Sequence, residues 1–80
     1  MIAFADTSGL YALLARNDQF HTAAAAAFAR LAEAQARLIT TSYALVETLA
    51  LLQHRIGLDA TKAFQARLQP LLEVVWVDAA

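Results

Sequence analysis

Two acids carry the chemistry available to this sequence. Asp6 closes a short apolar run, Ile2-Ala3-Phe4-Ala5, and leads straight into Thr7-Ser8-Gly9 and a helical pattern. Glu47 is set in a second apolar stretch, Ala44-Leu45-Val46-Glu47-Thr48-Leu49-Ala50-Leu51-Leu52. A carboxylate in such surroundings loses hydration that only a partner can replace. One acid at a strand end and one on a helix point to a divalent-cation site built from oxygen ligands. The helical neighbours of Glu47 four residues away, Tyr43 and Leu51, supply no positive partner. Nor does Glu47 fit a capping box, which needs its acid three residues after the cap, at Ala44 or Leu45 here. The competing readings are an exposed helix acid for Glu47 and a helix cap or turn acid for Asp6. Ser8 is the better-placed cap, which releases Asp6 for chemistry.

The remaining polar residues offer less. Asp18, Glu33, Asp59 and Glu73 fall in turns, caps or polar faces, and Asp78 reads as a solvated acid near the chain end. His21 and His54 have no ligand partner at metal-binding spacing and read as surface residues. Trp76 and the phenylalanines read as core. There is no Gly-rich phosphate loop, and neither Ser8 nor Ser42 has an adjacent histidine base, so nucleotide binding and triad hydrolysis are both disfavoured. The absence of cysteine removes disulfides, thiolate zinc sites and thiol nucleophiles together.

The elements that must position the two acids follow from periodicity and caps. Residues 2–6 read as a buried strand. Ser8 caps a short helix from Gly9 to Arg16, and Asn17-Asp18-Gln19 forms a polar turn. A longer helix runs from His21 to Ala36 through the helix-forming alanines Ala23 to Ala27. Leu38-Ile39-Thr40 is the second strand. Thr41 or Ser42 caps the third helix, with Leu45, Leu49, Leu52 and Ile56 at the helical period, and Gly57 ends it. Asp59 caps a fourth helix that Pro70 should kink or stop near Gln69. Val74 to Val77 is the third strand, ending at Asp78. The order βααβααβ predicts an α/β fold with a three-stranded parallel sheet, order 3-2-1, and helices on both faces. Ligands of such sheets bind beyond the carboxyl ends of the strands, where Asp6, Thr40-Thr41 and Asp78 fall.

Eighty residues hold one domain, residues 1–80. Hydrophobic residues make up 60%, but twenty of them are alanines, so the larger hydrophobes are enough for one core and no more. Net charge is −1 and the six basic residues are scattered, so no basic stripe exists to clamp nucleic acid by charge alone. The N-terminus lacks a basic leader region, and the apolar stretch around residues 44–52 is too short and too acidic to span a membrane. A soluble cytoplasmic protein is the expectation.

Three segments together resemble the PIN-domain ribonucleases. Phe4-Ala5-Asp6-Thr7-Ser8-Gly9-Leu10-Tyr11-Ala12-Leu13-Leu14 resembles their opening, in which an Asp-Thr/Ser-Ser step follows the first strand. Leu38-Ile39-Thr40-Thr41-Ser42-Tyr43-Ala44-Leu45-Val46-Glu47-Thr48 is similar to their second signature, a strand leading into a glutamate-bearing helix. Leu71 to Asp78 is similar to their third strand. Within the family the VapC-type toxins of toxin–antitoxin pairs look closest.

The resemblance implies a metal-dependent endoribonuclease in which Asp6 and Glu47 occupy the first two acid positions and hold Mg²⁺ or Mn²⁺. Thr7 and Ser42 would orient a carboxylate or a water from behind. The implied partners are an RNA substrate, a VapB-type antitoxin protein and a further copy of the chain in a homo-oligomer, with no membrane. The family's later acids have no counterpart before Ala80, so the expectation is the N-terminal half of a PIN-like domain, truncated at its C-terminal side. Its alternative role is that of a catalytically inactive interaction module that binds an antitoxin-like helix or a second copy. A phosphoacceptor domain fits worse, because Ser8 stands where a second Asp would be needed.

Overall fold

The computed structural model describes residues 1–77 and contains three parallel strands and four α-helices. Strand β1 is Ile2–Phe4, and helices α1 (Thr7–Leu14) and α2 (His21–Glu33) lead to β2 (Arg37–Thr41). Helices α3 (Ser42–Arg55) and α4 (Leu58–Ala63) follow. A π-helical turn over Phe64–Leu68 and a 3₁₀ turn over Gln69–Leu71 then lead to β3 (Leu72–Val75). The strands lie in the order β1-β2-β3, with Ala3 opposite Leu38 and Leu38 opposite Leu72. This is the three-stranded parallel sheet, order 3-2-1, that the alternating elements predict. The third strand starts two residues before the expected Val74, and Asp78 lies outside the described residues.

The layering differs from expectation. Paired residues of a parallel sheet point the same way, so Ala3, Leu38 and Leu72 share one face and Phe4, Ile39 and Glu73 the other. The first face meets the core: Leu38 and Leu72 pack with Leu10, Leu45, Leu52, Phe64 and Leu68. On the second face Ile2, Phe4 and Val75 are exposed, Phe4 at 63%. Right-handed crossovers that step the same way at each strand lay every connecting helix on one side of a sheet. Among the described residues, then, the expected helix layers on both faces reduce to one. Among the described residues the open face carries one ion pair, Arg37 Nη2 to Glu73 Oε1 at 2.7 Å, joining β2 to β3. The Arg37 side chain holds the Glu73 carboxyl below its ordinary range. That contribution is present at neutral pH and fades as acid protonates Glu73, and the exposure of both side chains keeps it small.

Local chemistry explains most boundaries. Thr41 caps α3, its hydroxyl oxygen accepting from the Ala44 N–H at 3.0 Å. Gly57 ends α3 at φ 135°, a conformation open mainly to glycine. Gln35, at φ 53°, turns the chain out of α2, whose Leu31 carbonyl accepts from the Ala36 N–H. The residue before α4 is Gly57, not Asp59, which sits in the first turn of that helix. Pro70 lies in the 3₁₀ turn and marks the end of the helical run, as its missing N–H requires. No helix among the described residues is long and apolar enough to cross a membrane.

Candidate functional site

Strand β1 stops at Phe4, and Asp6 follows in extended conformation (φ −98°, ψ 173°) as the N-cap of α1. Its Oδ1 accepts the Gly9 N–H at 2.9 Å and the Ser8 hydroxyl at 3.3 Å. A Cβ on residue 9 would stand 3.1 Å from that oxygen, so glycine there leaves the cap room. The division expected from sequence is therefore reversed: Asp6 caps, and Ser8 supports it. Capping occupies only one carboxylate oxygen. Among the described residues nothing bonds Oδ2.

The peptides on either side of Asp6 are tied down. The Ala5 N–H donates to the Ile39 carbonyl at 2.8 Å, and the Ala5 carbonyl accepts the Thr40 hydroxyl at 2.8 Å. The Thr7 hydroxyl donates to the Ala44 carbonyl in the first turn of α3 at 3.4 Å, and Thr48 donates to the same carbonyl at 2.7 Å. Thr40 and Thr48 are both fully buried. Ser42, also buried, accepts the Val77 N–H at 2.9 Å and so joins the chain after β3 to the start of α3. These hydroxyls hold the carboxyl ends of all three strands against α3. Thr7 and Ser42 were expected behind a carboxylate or water; in the structure both bond backbone. The sequence placed Thr40 at a ligand-facing strand end but gave neither it nor Thr48 a bonding role, since a threonine's distant partner leaves no local signal. Replacing Thr40 with valine keeps the shape and removes the donor to Ala5. It should lower unfolding free energy by about 1–2 kcal/mol. Urea denaturation measures this, and a loss below about 0.5 kcal/mol would mean that the Ala5 carbonyl does not need Thr40.

Glu47 lies on the exposed side of α3, beside exposed Tyr43, Val46 and Ala50. Its apolar neighbours in sequence turn away on other faces of the helix, so the burial expected for it does not occur. Asp6 is exposed as well. The case for the pair therefore rests on placement, not on desolvation. Asp6, Thr7, Ser8 and Tyr11 form one wall of an open concavity of about 540 Å³; Glu47, Leu51 and Arg55, successive turns of one stripe on α3, form the facing wall. Asp18 and Phe20 complete the rim. The Asp18 Oδ2 accepts the Phe20 N–H at 3.0 Å, which fixes this turn. Asp18, read from sequence as a plain turn residue, thus becomes a third acid on the rim. Among the described residues no three acid or histidine side chains converge tightly enough to hold a metal ion. His21 takes no part, its Nδ1 lying 2.8 Å from the Ala12 carbonyl as a clasp between α1 and α2.

The donor set is all oxygen: the free Oδ2 of Asp6 and the carboxylate of Glu47. That fits a hard divalent ion, which commonly takes one or two protein carboxylates and keeps several waters. Among the described residues, Arg55 is the one cation lining the concavity.

Comparison with known proteins gives a family match and a match among solved structures. The family model for the PIN domain matches residues 3–80. The crystal structure of Mycobacterium tuberculosis VapC20, described as a sarcin–ricin-loop-cleaving toxin, superposes with a TM-score of 0.74 at 33% identity. That superposition covers 99% of this chain and 58% of VapC20, so the chain spans somewhat over half the length of that relative. No curated protein matches.

Proposed function

The chain belongs to the PIN domain family, and on that footing we propose that it is the acid-bearing portion of a metal-dependent endoribonuclease of the VapC toxin type. The observation that carries the reading is the placement of Asp6 and Glu47 on facing walls of one concavity, with an oxygen of Asp6 left free. The proposed reaction is hydrolysis of an RNA phosphodiester bond. Bound Mg²⁺ or Mn²⁺ would neutralise phosphate charge and make a water more acidic.

This chain's own residues supply the positioning. The two bonds to Oδ1 fix the Asp6 carboxylate and leave Oδ2 available, so that it would hold a cation without a search over rotamers. Glu47 is presented by a helix whose first turn is bonded to Thr7, next to Asp6, so the two acids are carried on one rigid unit. Asp6 and Glu47 are the proposed metal-holding residues. Thr7 and Ser42 serve at one remove by fixing the backbone.

The proposed partners are RNA, a VapB-type antitoxin and a second copy of the chain, and the proposed location is the cytoplasm. A specific observation supports the protein partners, and with them the second reading of an inactive interaction module. The exposed apolar residues Tyr43, Val46 and Trp76 adjoin Glu47, and Ile2, Phe4 and Val75 stand on the open sheet face.

Incubating the purified protein with labelled RNA, a sarcin–ricin-loop oligonucleotide first, separates the two readings. Mg²⁺- or Mn²⁺-dependent cleavage that EDTA stops supports the nuclease. Rates should be low, since two carboxylates hold these ions weakly. Tight antitoxin binding with no cleavage at any metal concentration supports the module.

A further inference from the structure

We propose that Arg55 is the phosphate-binding cation of this site, gripping the RNA backbone where it crosses the concavity of Asp6 and Glu47. The inference rests on the nuclease reading and adds to it the group that recognises the polyanion. Three observations carry it. First, Arg55 lines the same concavity as both acids, two helical turns along α3 from Glu47 on the same stripe. Second, its guanidinium carbon lies 5.4 Å from the centre of the Tyr11 ring, on α1. A cation over an aromatic face is held in place without giving up its N–H donors, which lie in the guanidinium plane. Third, among the described residues Arg55 forms no ion pair, although Asp6, Asp18 and Glu47 all line that concavity. The arginine that is paired, Arg37, is on the open sheet face, joined to Glu73 on β3.

Electrostatics gives the reason such a group is needed. The chain has net charge −1, and the rim of the concavity is acidic, so an approaching phosphate is repelled wherever no cation compensates. A metal ion offsets that repulsion only at the acids. An arginine two helical turns along α3 from Glu47 extends the attraction along the RNA, and its planar fork suits two phosphate oxygens at once. Such a contact reads the backbone and not the bases, so it raises affinity alike for every sequence.

The test measures binding of fluorescein-labelled single-stranded RNA of two different sequences by anisotropy. It is done in EDTA across a salt series, with cleavage in Mn²⁺ assayed in parallel. Arg55→Ala should weaken binding of both RNAs by about tenfold at low salt and flatten the log–log salt slope by about 0.7, the loss of one phosphate contact. Arg55→Lys keeps the charge, so it should keep the slope and lose only about two- to threefold in affinity. Arg30→Ala, which removes an equal charge from exposed α2, should change neither. Arg55 is exposed, and thermal melts of each variant would expose any folding defect; Arg55→Gln then gives the same readout. Wild type that cleaves RNA while Arg55→Ala matches it in affinity and slope overturns the Arg55 assignment alone. Wild type that neither binds nor cleaves RNA overturns the nuclease reading and the assignment with it.

Discussion

Replacing Asp6 with asparagine is expected to remove RNA cleavage while leaving the fold in place. Asparagine is as good an N-cap as aspartate, and its amide oxygen can take over the Gly9 N–H bond now made at 2.9 Å. The cost to stability is the lost negative charge at the start of α1, about 0.3–1 kcal/mol. What changes is the oxygen that caps nothing: Oδ2 becomes an NH₂ group, which repels a cation. Removing a metal-holding carboxylate should lower the rate by at least about a hundredfold. Asp6→Ala separates the two roles from the other side, because it loses both the ligand and the cap, with about 1 kcal/mol of destabilisation. Single-turnover cleavage and thermal melts on the two variants give both numbers. An Asp6→Asn protein within threefold of wild type would show that Asp6 is a cap and nothing else.

The largest effect on the scaffold is expected at Phe64. Its side chain is fully buried, at the start of the π-helical turn, in the cluster of Leu10, Leu45, Leu52 and Leu68 from α1, α3 and that same turn. Phe64 and Leu68, four residues apart, both reach the core from this turn. Truncation to alanine removes a ring and leaves a cavity that this small core cannot close, at a cost of about 3–5 kcal/mol. An 80-residue domain commands only about 4–12 kcal/mol in total. Phe64→Ala should therefore be partly or wholly unfolded at room temperature, and Phe64→Leu should lie within about 1–2 kcal/mol of wild type. Circular dichroism with urea decides it. A cooperative Phe64→Ala transition within 1 kcal/mol of wild type would remove Phe64 from the centre of the core.

Much of this architecture was legible because its signals are local. Gly57 ends α3, Thr41 caps it, and the strand–helix alternation gives the parallel sheet, each from neighbouring residues alone. The errors arise where position depends on distant residues. Ser8 and Asp6 are both good caps, and the choice between them turns on β1 stopping at Phe4 against β2. Glu47 looked buried because its sequence neighbours are apolar, yet a helix sends those neighbours to other faces. Apolar strands suggested two covered faces, whereas strand order and crossover hand leave one open among the described residues. The concavity itself joins α1, the turn at Asp18 and α3, and nothing in the local sequence pairs Tyr11 with Arg55. Asp6 stood out at a strand end and Glu47 on a helix in apolar surroundings; the structure leaves both exposed, which removes the desolvation argument, and sets both in the lining of one concavity.

On the proposed reading, Asp6 and Glu47 face one hard cation. Titrating Mn²⁺ into isotope-labelled protein tests it directly, since the ion broadens the amide signals nearest to it. Broadening should appear first at both walls of the concavity, around Ser8 and Gly9 on α1 and around Glu47 on α3, and should vanish from both walls together in Asp6→Asn. Broadening confined to one wall, or centred elsewhere on the protein, would contradict the shared site.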